Sequence, residues 1–492
     1  MQGLTTGTTP RAASKAVILM AVGTILLLAT HLCYSYPSLA NWKIPATLSK
    51  GTPQAVPDNV TLSSEEVPQE TEQEEDLPCQ HLEGGEDVVV VMRTGATEIK
   101  DKLPAHLNTT FKCYNDYIIL SDYEEEFAGH QVHDLLSSVD DSVKSSHPDF
   151  ELYRRLQAHG RAALDDSELS GAVSAESGPI GKLDNEGWRL DKWKFLPMAV
   201  RTLELRPDAK WYVFVEPDTY LMWFNLLDWL RTLDPSEPLY YGSEVQIESD
   251  VFAHGGSAFL LSRPALQRAA ALYTTHAPAW HALTSAHWAG DCLLGKALLE
   301  SGVPLTWSWP MFQGGNPHTM DFAETKPGAA GADHSLWCAP ALSYHHLAPA
   351  EIASLFAFEQ AWLRQAQSSR SAAGPSLSWR RAARLRIHHQ DVFRSYLLPQ
   401  TAAGPRSDWS NGSGDLVKGT ENITLTECRE LCEGRAACVQ FAVSEEGCWF
   451  AREGRVGREM EGWEAGWLPG RVGGWADGKG VCGVGVGGWT VS

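Results

Sequence analysis

The sequence predicts an α/β fold in which buried strands alternate with helices. Three continuous apolar runs are typical of strands in a parallel sheet, at residues 87–92, 117–120 and 211–215. Residues 147–164 follow a helical pattern, and an apolar helix is predicted at residues 221–233. Ligands of α/β sheets bind at the carboxyl ends of strands, so we expect a site at Glu216 and Asp218, directly after the third run.

Length and composition indicate a folded, acidic protein. The chain has 492 residues, enough for about three ordinary domains or for one large α/β domain with appendages. Its 43% hydrophobic and 21% charged residues exclude a chain that is disordered throughout. The formal net charge of −21 arises from 61 acidic and 40 basic residues. Such acidity disfavours binding to a phosphate backbone, so no nucleic-acid partner is expected.

The N-terminus predicts a membrane anchor. Residues 16–33 contain no Asp, Glu, Lys or Arg, and as a helix they reach about 27 Å, close to the thickness of a bilayer core. A cleaved signal peptide is the alternative, but its apolar region is usually about 7–15 residues long. Arg11 and Lys15 precede the run and favour a cytosolic N-terminus. We therefore predict a cytoplasmic tail at residues 1–15, a signal anchor at 16–36 and a type II topology.

The residues after the anchor indicate a lumenal, glycosylated chain. Residues 37–80 are rich in Pro, Ser, Thr and Glu and cannot bury a core, so we predict an extended stem. Asn-x-Ser/Thr sequons accept a glycan only in the secretory pathway. The four sequons that we predict as glycosylation sites begin at Asn59, Asn108, Asn411 and Asn422.

Cysteine usage agrees with an oxidising compartment. One of the ten cysteines lies in the predicted anchor, and four others cluster at residues 428–448, as expected of a small disulfide framework. Cys79 and Cys113 flank the first strand, and we predict that they pair. We predict a second bridge between Cys292 and Cys338. Closing each loop is worth about 3–4 kcal/mol in the chain-entropy model.

Glu216 and Asp218 are the first candidates for a metal site. Two carboxylates at positions i and i+2 after a buried strand can place oxygen ligands in one cleft, and Mg²⁺ or Mn²⁺ prefers such ligands. Asp and Pro also favour turns, so a solvated junction after the strand is the alternative. The pair alone does not decide between the two interpretations.

Five segments, in matching order and spacing, resemble the fringe and core 1 β1,3-galactosyltransferase family, glycosyltransferase family 31, especially its fungal members. The segments are residues 187–198, 211–220, 254–262, 290–295 and 342–346. The resemblance covers residues 87–362. It implies a GT-A fold with a Rossmann-like mixed sheet, a UDP-sugar donor, a divalent metal that is usually Mn²⁺, and inversion at the sugar C1.

The resemblance implies a metal site built on Asp218, which matches the acid that holds the metal in the family. Glu216 and Pro217 depart from the usual Asp-Asp-Asp motif, and Glu216 is retained as a predicted ligand. His345 aligns with the histidine that completes the site, and the neighbouring His346 is the fallback ligand. A lone histidine is more often structural, but the matched context favours a ligand here.

Asp291 matches the catalytic base of the family, which takes the proton of the acceptor hydroxyl as that hydroxyl attacks C1. A helix N-cap is the alternative, because residues 292–299 follow a helical pattern. Asp191 and Lys194 resemble the donor-binding stretch of the family, and Arg93, Thr94 and Asp122 follow the first two strands, where the nucleotide would lie. Gly255 and Gly256 are predicted donor contacts because glycine lets the backbone approach a ligand closely. The alternatives are a salt-bridged helix face for Asp191 and Lys194, and a plain tight turn for the glycine pair.

The C-terminal region differs in composition from the catalytic domain predicted at residues 81–398. Residues 399–421 are mostly polar, with a Gly/Ser-rich stretch, and we predict a linker there. Residues 422–470 resemble a PAN/apple-type module. The pairs that this resemblance implies are Cys428 with Cys448 and Cys432 with Cys438. Residues 471–492 are Gly-rich and are predicted to be disordered, with Cys482 unpaired.

These features predict an inverting, metal-dependent hexosyltransferase of the Golgi membrane with a lumenal catalytic domain. Its donor is a UDP-sugar, galactose being our first choice of sugar. Its acceptor is a hydroxyl of a glycan or glycoprotein, which receives a β1,3 linkage. The alternative is a carbohydrate-binding or scaffold protein on the same fold, with its activity weakened by the altered Glu-Pro-Asp motif. A homodimer is compatible with the sequence.

Overall fold

The computed structural model describes residues 76–169, 185–327, 333–371, 386–482 and 488–489. The predicted cytoplasmic tail and signal anchor lie outside these residues, and so does Asn59. Within the described ranges, no helix is both long enough and apolar enough to cross a membrane. The anchor at residues 16–36 stays a prediction.

Strands and helices alternate along most of the chain. The strands up to residue 344 are β1 (Val88–Arg93), β2 (Tyr117–Ser121), β3 (Glu125–Phe127), β4 (His130–Asp134), β5 (Trp211–Val215), β6 (Tyr220–Leu221), β7 (Tyr240–Gly242), β8 (Glu244–Ile247), β9 (Asp250–Ala253), β10 (Phe259–Ser262), β11 (Thr306–Trp307), β12 (Thr325–Pro327), β13 (Asp333–Ser335) and β14 (Ser343–Tyr344). The helices up to residue 392 are α1 (Ile99–Asn108), α2 (Asp141–Ser146), α3 (Glu151–His159), α4 (Glu186–Asp191), α5 (Phe195–Leu205), α6 (Trp223–Leu230), α7 (Arg263–Thr275), α8 (Ala277–Ala286), α9 (Gly290–Glu300), α10 (Pro349–Ser371) and α11 (His389–Val392).

The central element is an eight-stranded mixed sheet in the order β11-β7-β10-β5-β1-β2-β4-β3. Strand β1 runs parallel to β2 and β5, whereas β10 runs antiparallel to β5 and β7. The three strands predicted from sequence correspond to β1, β2 and β5. The prediction of an α/β fold is therefore confirmed at the level of a mixed sheet with helices.

The side chains of β1 alternate between two apolar layers. Val88, Val90 and Met92 pack into a cluster that includes residues of α6, while Val89 and Val91 pack into a cluster with residues of α5 and α7. All residues of β1 and β5 are buried. Helices cover both faces of these strands, which explains why their sequences are continuously apolar.

The direction of the central strands brings polar residues to one edge of the sheet. Because β1, β2 and β5 are parallel, their carboxyl ends meet on the same side of the sheet. Arg93 ends β1, Asp122 comes just after β2, and Glu216 comes just after β5. The sequence therefore predicted correctly which edge of the sheet carries the polar residues.

A C-terminal module follows the α/β part, and we define it as residues 406–482. Its elements are β15 (Arg406–Ser410), β16 (Asp415–Leu416), α12 (Leu425–Glu433), β17 (Gln440–Ser444), β18 (Gly447–Ala451), β19 (Arg458–Trp467) and α13 (Pro469–Gly478). Its strands form one sheet in the order β15-β19-β17-β18-β16. The prediction of a linker at residues 399–421 is wrong, because strands β15 and β16 lie within this range. Its Gly/Ser-rich stretch at residues 411–414 connects these two strands. Disorder throughout residues 471–492 is wrong as well, because α13 extends to Gly478.

Three of the predicted disulfides are confirmed. They are Cys79–Cys113, Cys428–Cys448 and Cys432–Cys438. The predicted pair of Cys292 with Cys338 is wrong, and so is the unpaired Cys482, because Cys338 is bonded to Cys482. Cys292 is free and buried, and it packs with Phe252 and Ala289 in a small apolar cluster. Sequence spacing does not reveal that the side chain of Cys292 belongs to this cluster.

The described sequons differ in accessibility. Asn108 and Asn422 are exposed and stay predicted glycosylation sites. Asn411 is fully buried, and its Nδ2 donates hydrogen bonds to the carbonyl oxygens of Phe441 and Gly466. A glycan on that nitrogen would break this network, so the prediction for Asn411 is wrong.

Candidate functional site

A cleft of about 930 Å³ opens at the carboxyl edge of the central sheet. Its lining includes Glu216, Asp218, Asp291, His345 and His346. Each of the five segments that carry the family resemblance contributes residues to this lining. Residues far apart in sequence thus meet in one cavity large enough for a substrate.

A short strand pairing brings the candidate metal ligands together. Strand β14 pairs antiparallel with β6, and Tyr344 lies opposite Tyr220. This register places His345 beside the turn that contains Asp218, and the Leu347 N–H donates to the Asp218 carbonyl at 3.0 Å. Ligand atoms of Asp218, His345 and His346 all lie within 4.8 Å of one another.

The ligand atoms of this cluster lack hydrogen-bond partners. Asp218 Oδ1, both ring nitrogens of His345 and His346 Nδ1 are buried and unsatisfied. His345 Nε2 lies 3.2 Å from Asp218 Oδ1, but the two atoms do not meet in hydrogen-bond geometry. Buried polar atoms normally have partners, and one carboxylate with two imidazoles is a donor set suited to Mn²⁺. The residues therefore fit a divalent cation.

Charge is concentrated around the cluster. Burial raises the pKa of Asp218, but Lys102 and His345 outweigh it and hold that pKa well below its usual range. Burial lowers the pKa of His345, but the carboxylates of Asp218 and Glu216 outweigh it and raise that pKa to about 10. The carboxylate of Asp218 thus stays ionised at neutral pH, and together with Glu216 it favours the protonated form of His345.

Glu216 does not belong to the cluster. Burial raises its pKa, but Arg93 outweighs it and lowers the pKa to about 2. The guanidinium of Arg93 is shared between Glu216 and Asp191. Glu216 Oε2 lies 3.5 Å from His345 Nε2, at the border of the cluster. The cluster contains His346, the fallback ligand, beside Asp218 and His345, and Glu216 stays a predicted ligand.

Asp291 lies in the first turn of α9, where Ala289 is the N-cap residue. Its Oδ2 accepts a hydrogen bond from the Gly255 N–H at 3.0 Å, and its Oδ1 accepts one from the Cys292 N–H at 2.9 Å. Burial raises its pKa to about 6, and the two N–H groups only partly offset this. The N-cap alternative is therefore wrong, and the carboxyl has a pKa suited to proton transfer near neutral pH.

Two of the predicted donor-binding residues form a buried ion pair. Lys194 Nζ lies 2.8 Å from Asp122 Oδ2 and donates to the Thr94 carbonyl at 2.8 Å. Asp122 Oδ1 accepts a hydrogen bond from the Ala96 N–H at 2.8 Å. Four of the seven residues predicted to bind the donor line the cleft: Arg93, Asp191, Lys194 and Gly256. The other three, Thr94, Asp122 and Gly255, are not part of the cleft lining that the described residues form.

Gly255 and Gly256 lie against two side chains that line the cleft. A Cβ on Gly256 would lie 2.1 Å from Cε1 of His345, so only glycine fits against that ring. Gly255 has a similar constraint, because a Cβ there would lie 3.0 Å from Cζ of Phe195. The pair forms a short 3-10 turn with Ser257, so the tight-turn alternative is correct as a description of the backbone.

Three residues of the cleft were not predicted from sequence. Lys102 Nζ lies 3.3 Å from Asp218 Oδ2 and 2.9 Å from Glu98 Oε2. The ring of His254 lies 5.5 Å from that of His345. Trp288, three positions before Asp291, is 46% exposed and lines the cleft. For Lys102 the only signal in the sequence was its spacing from Glu98, which usually indicates an ion pair on an exposed helix face. For His254 it was the position at the start of a segment that resembles the family.

No protein-family model matches this chain. The resemblance to glycosyltransferase family 31 therefore stays a prediction, and the geometry of the cleft is the observation that bears on function.

Proposed function

We propose that this protein is a metal-dependent, inverting glycosyltransferase of the fringe and core 1 β1,3-galactosyltransferase kind, with a GT-A fold. The proposal assigns a UDP-sugar as donor and a glycan hydroxyl as acceptor, with a β1,3 linkage formed and galactose as the first choice of sugar. One observation supports it above the others. A divalent-cation cluster of Asp218, His345 and His346 shares one cleft with Asp291, a carboxyl whose pKa is raised to about 6.

Six residues of the cleft have a role in the proposed reaction. Asp291 accepts the proton of the acceptor hydroxyl while the oxygen forms its bond to C1 of the sugar. The bond from C1 to the diphosphate oxygen breaks, and its electron pair leaves with UDP. A divalent cation held by Asp218, His345 and His346 would neutralise the charge on the departing diphosphate. Arg93 and Lys102 add fixed positive charge at the same edge of the sheet.

The cellular setting belongs to the same proposal. A signal anchor at residues 16–36, two basic residues before it and exposed sequons at Asn108 and Asn422 are consistent with a type II protein of the Golgi membrane. Disulfides such as Cys79–Cys113 agree with a lumenal, oxidising compartment.

The proposal is tested by a screen of UDP-sugars with the full-length protein and Mn²⁺. We expect UDP release from at least one donor, its loss when the metal is chelated, and faster release when p-nitrophenyl glycosides are added as acceptors. Binding of UDP-sugars without any metal-dependent release of UDP would contradict the proposal. That result would favour the alternative, a carbohydrate-binding or scaffold protein.

A further inference from the structure

The loop that carries His345 and His346 is held by the neighbouring residues 315–318. The His345 N–H donates to the Gly315 carbonyl at 3.2 Å, and Asn316 Nδ2 donates to the His346 carbonyl at 3.1 Å. His346 has a φ of 58°, in the left-handed region that a residue with a side chain adopts at a cost. The surrounding contacts must therefore hold this backbone in place.

Asn316 is the centre of these contacts. Its Nδ2 also donates to Glu351 Oε2 at 2.8 Å, and its Oδ1 accepts the His318 N–H at 2.8 Å. Glu351 Oε2 in turn accepts a hydrogen bond from the N–H of Ala348, which follows the loop that carries His345 and His346 (the metal loop), at 2.8 Å. The Asn316 amide nitrogen thus donates both to the His346 carbonyl and to the Glu351 carboxylate.

The C-terminal module supports the same segment from outside. The N–H of Gly457, between β18 and β19, donates to the His318 carbonyl at 2.7 Å. Gly457 has a φ of 89°, and an added Cβ would lie 2.0 Å from the carbonyl oxygen of Ser410 in the module's own strand β15, so the position that makes this contact requires glycine for reasons internal to the module. Arg455 of the module lies 3.5 Å from Asp321, a residue that lines the cleft.

An apolar core joins the module to the segment after Asp321. Phe322 packs with Phe393 at 5.2 Å between ring centroids, and Phe393 packs with Trp475 of α13 at 5.1 Å. Phe322 and Phe393 belong to one buried cluster against which Trp475 packs, and the cluster also contains residues of the module sheet, such as Ala442 and Trp467. The Cys338–Cys482 disulfide ties the module covalently to the chain that leads into the metal loop.

We infer that the C-terminal module is a working part of the candidate metal site and that Asn316 is its positioning residue. Three hydrogen bonds lead from Gly457 through His318 and Asn316 to His346, and the side-chain amide of Asn316 makes the last two. The module is therefore not a separately tethered binding domain. This inference rests on the metal site of the proposed function, and it concerns metal affinity rather than turnover.

The test measures Mn²⁺ binding to full-length protein variants, with Mn²⁺ as the only added ligand and free Mn²⁺ followed by electron paramagnetic resonance. Asn316→Ala removes the hydrogen bond to His346 and should weaken Mn²⁺ binding by about tenfold or more, the usual effect of losing a partner that orients a ligand. Arg455→Ala removes the ion pair that ties Asp321 to the module, and the lost support should weaken Mn²⁺ binding by about threefold, although the lost positive charge alone would strengthen it. The control is Arg452→Ala, because Arg452 is an exposed arginine of the same module, 3.9 Å from Asp415, and the variant should stay within about twofold of the parent.

Melting temperatures separate positioning from stability. A purely structural role would lower the melting temperature of the Asn316 and Arg455 variants but leave the Mn²⁺ dissociation constant unchanged well below melting. If both variants bind Mn²⁺ like the parent, the inference is overturned, while release of UDP by the parent would leave the proposed function standing. If Asn316→Ala does not fold, Arg455→Ala against Arg452→Ala decides. A parent protein that binds no Mn²⁺ would overturn the metal site and the inference with it.

Discussion

Replacement of Asp291 by Asn tests the proposed base directly. Burial raises the pKa of the Asp291 carboxyl to about 6, so at pH 7 the group is still about 90% ionised. The parent protein should therefore release UDP more slowly as the pH falls below about 6, where the carboxylate takes up a proton and can no longer act as the proposed base.

Asn fills nearly the same space as Asp but cannot accept a proton at neutral pH. Turnover of Asp291→Asn should fall by ~10²–10⁴-fold, while KM for the UDP-sugar and the affinity for Mn²⁺ stay within about threefold of the parent. The remaining activity should no longer decline around pH 6. The assay is the initial rate of UDP release, measured from about pH 5 to about pH 8.

The same substitution should leave the protein at least as stable as the parent at pH 7. Because the folded pKa of Asp291 lies above its ordinary value of 3.8, its ionisation costs folding free energy as the pH rises from about 4 through about 6. The side chain is partly exposed, so the cost is at most about 3 kcal/mol at pH 7. Asn loses one backbone hydrogen bond, worth about 1 kcal/mol, so the net change should be neutral or stabilising.

A matched control makes the experiment specific. Asp250→Asn changes the same chemical group on β9, which packs against α9, but Asp250 forms an ion pair with Lys296 at 2.8 Å instead of facing the proposed reaction. Its turnover should equal that of the parent. Parental turnover in Asp291→Asn, or rescue of that variant by added Mn²⁺, would refute the assignment of the base.

Three other substitutions have distinct expected outcomes. Asp218→Ala should abolish Mn²⁺-dependent UDP release while circular dichroism stays unchanged, because the residue lies in a turn at the strand end; parental turnover would contradict the metal site. Trp288→Ala should raise KM for a p-nitrophenyl glycoside acceptor by about tenfold, because an exposed indole can stack on a sugar ring, while UDP release without acceptor stays unchanged. Equal KM values in the variant and the parent would exclude this contact. Cys482→Ser should lower Tm by about 5–15 °C, because the bridge to Cys338 spans 144 positions; an unchanged Tm in a thermal scan would disprove the contribution of this disulfide.

The strands that could be predicted from sequence are those whose burial on both faces is visible as a continuous apolar run. Strands β1 and β5 are buried on both faces, so their residues are apolar without alternation and could be recognised directly. Polar residues that follow such strands, including Asp218, could be assigned to the edge of the sheet. His345 follows a strand of only two residues, and its place beside Asp218 depends on the pairing of β14 with β6. Only the family resemblance indicated it.

Features that depend on distant parts of the chain were not predicted. Lys102 forms a pair with Glu98 at the spacing of an exposed helix face, yet it is buried against Asp218 because α1 packs beside the turn after β5. The strands at residues 406–416 were missed because short edge strands separated by Gly and Ser have the composition of a linker. The partner of Cys338 lies in a segment whose Gly content suggested disorder.

The turn Gly255–Ser257 connects the proposed base with the candidate metal site inside one cleft. The Gly255 N–H binds Asp291 at 3.0 Å, and the face of Gly256 is in contact with His345. The Thr219 hydroxyl donates to the Gly256 carbonyl at 2.8 Å, which ties the same turn to the residue after the metal-site acid. A displacement at C1 needs the attacking and leaving oxygens on opposite sides of the sugar, so the groups that serve them must keep a constant distance. In the proposed reaction the glycine pair, whose predicted donor contact stays a prediction, would also keep this distance.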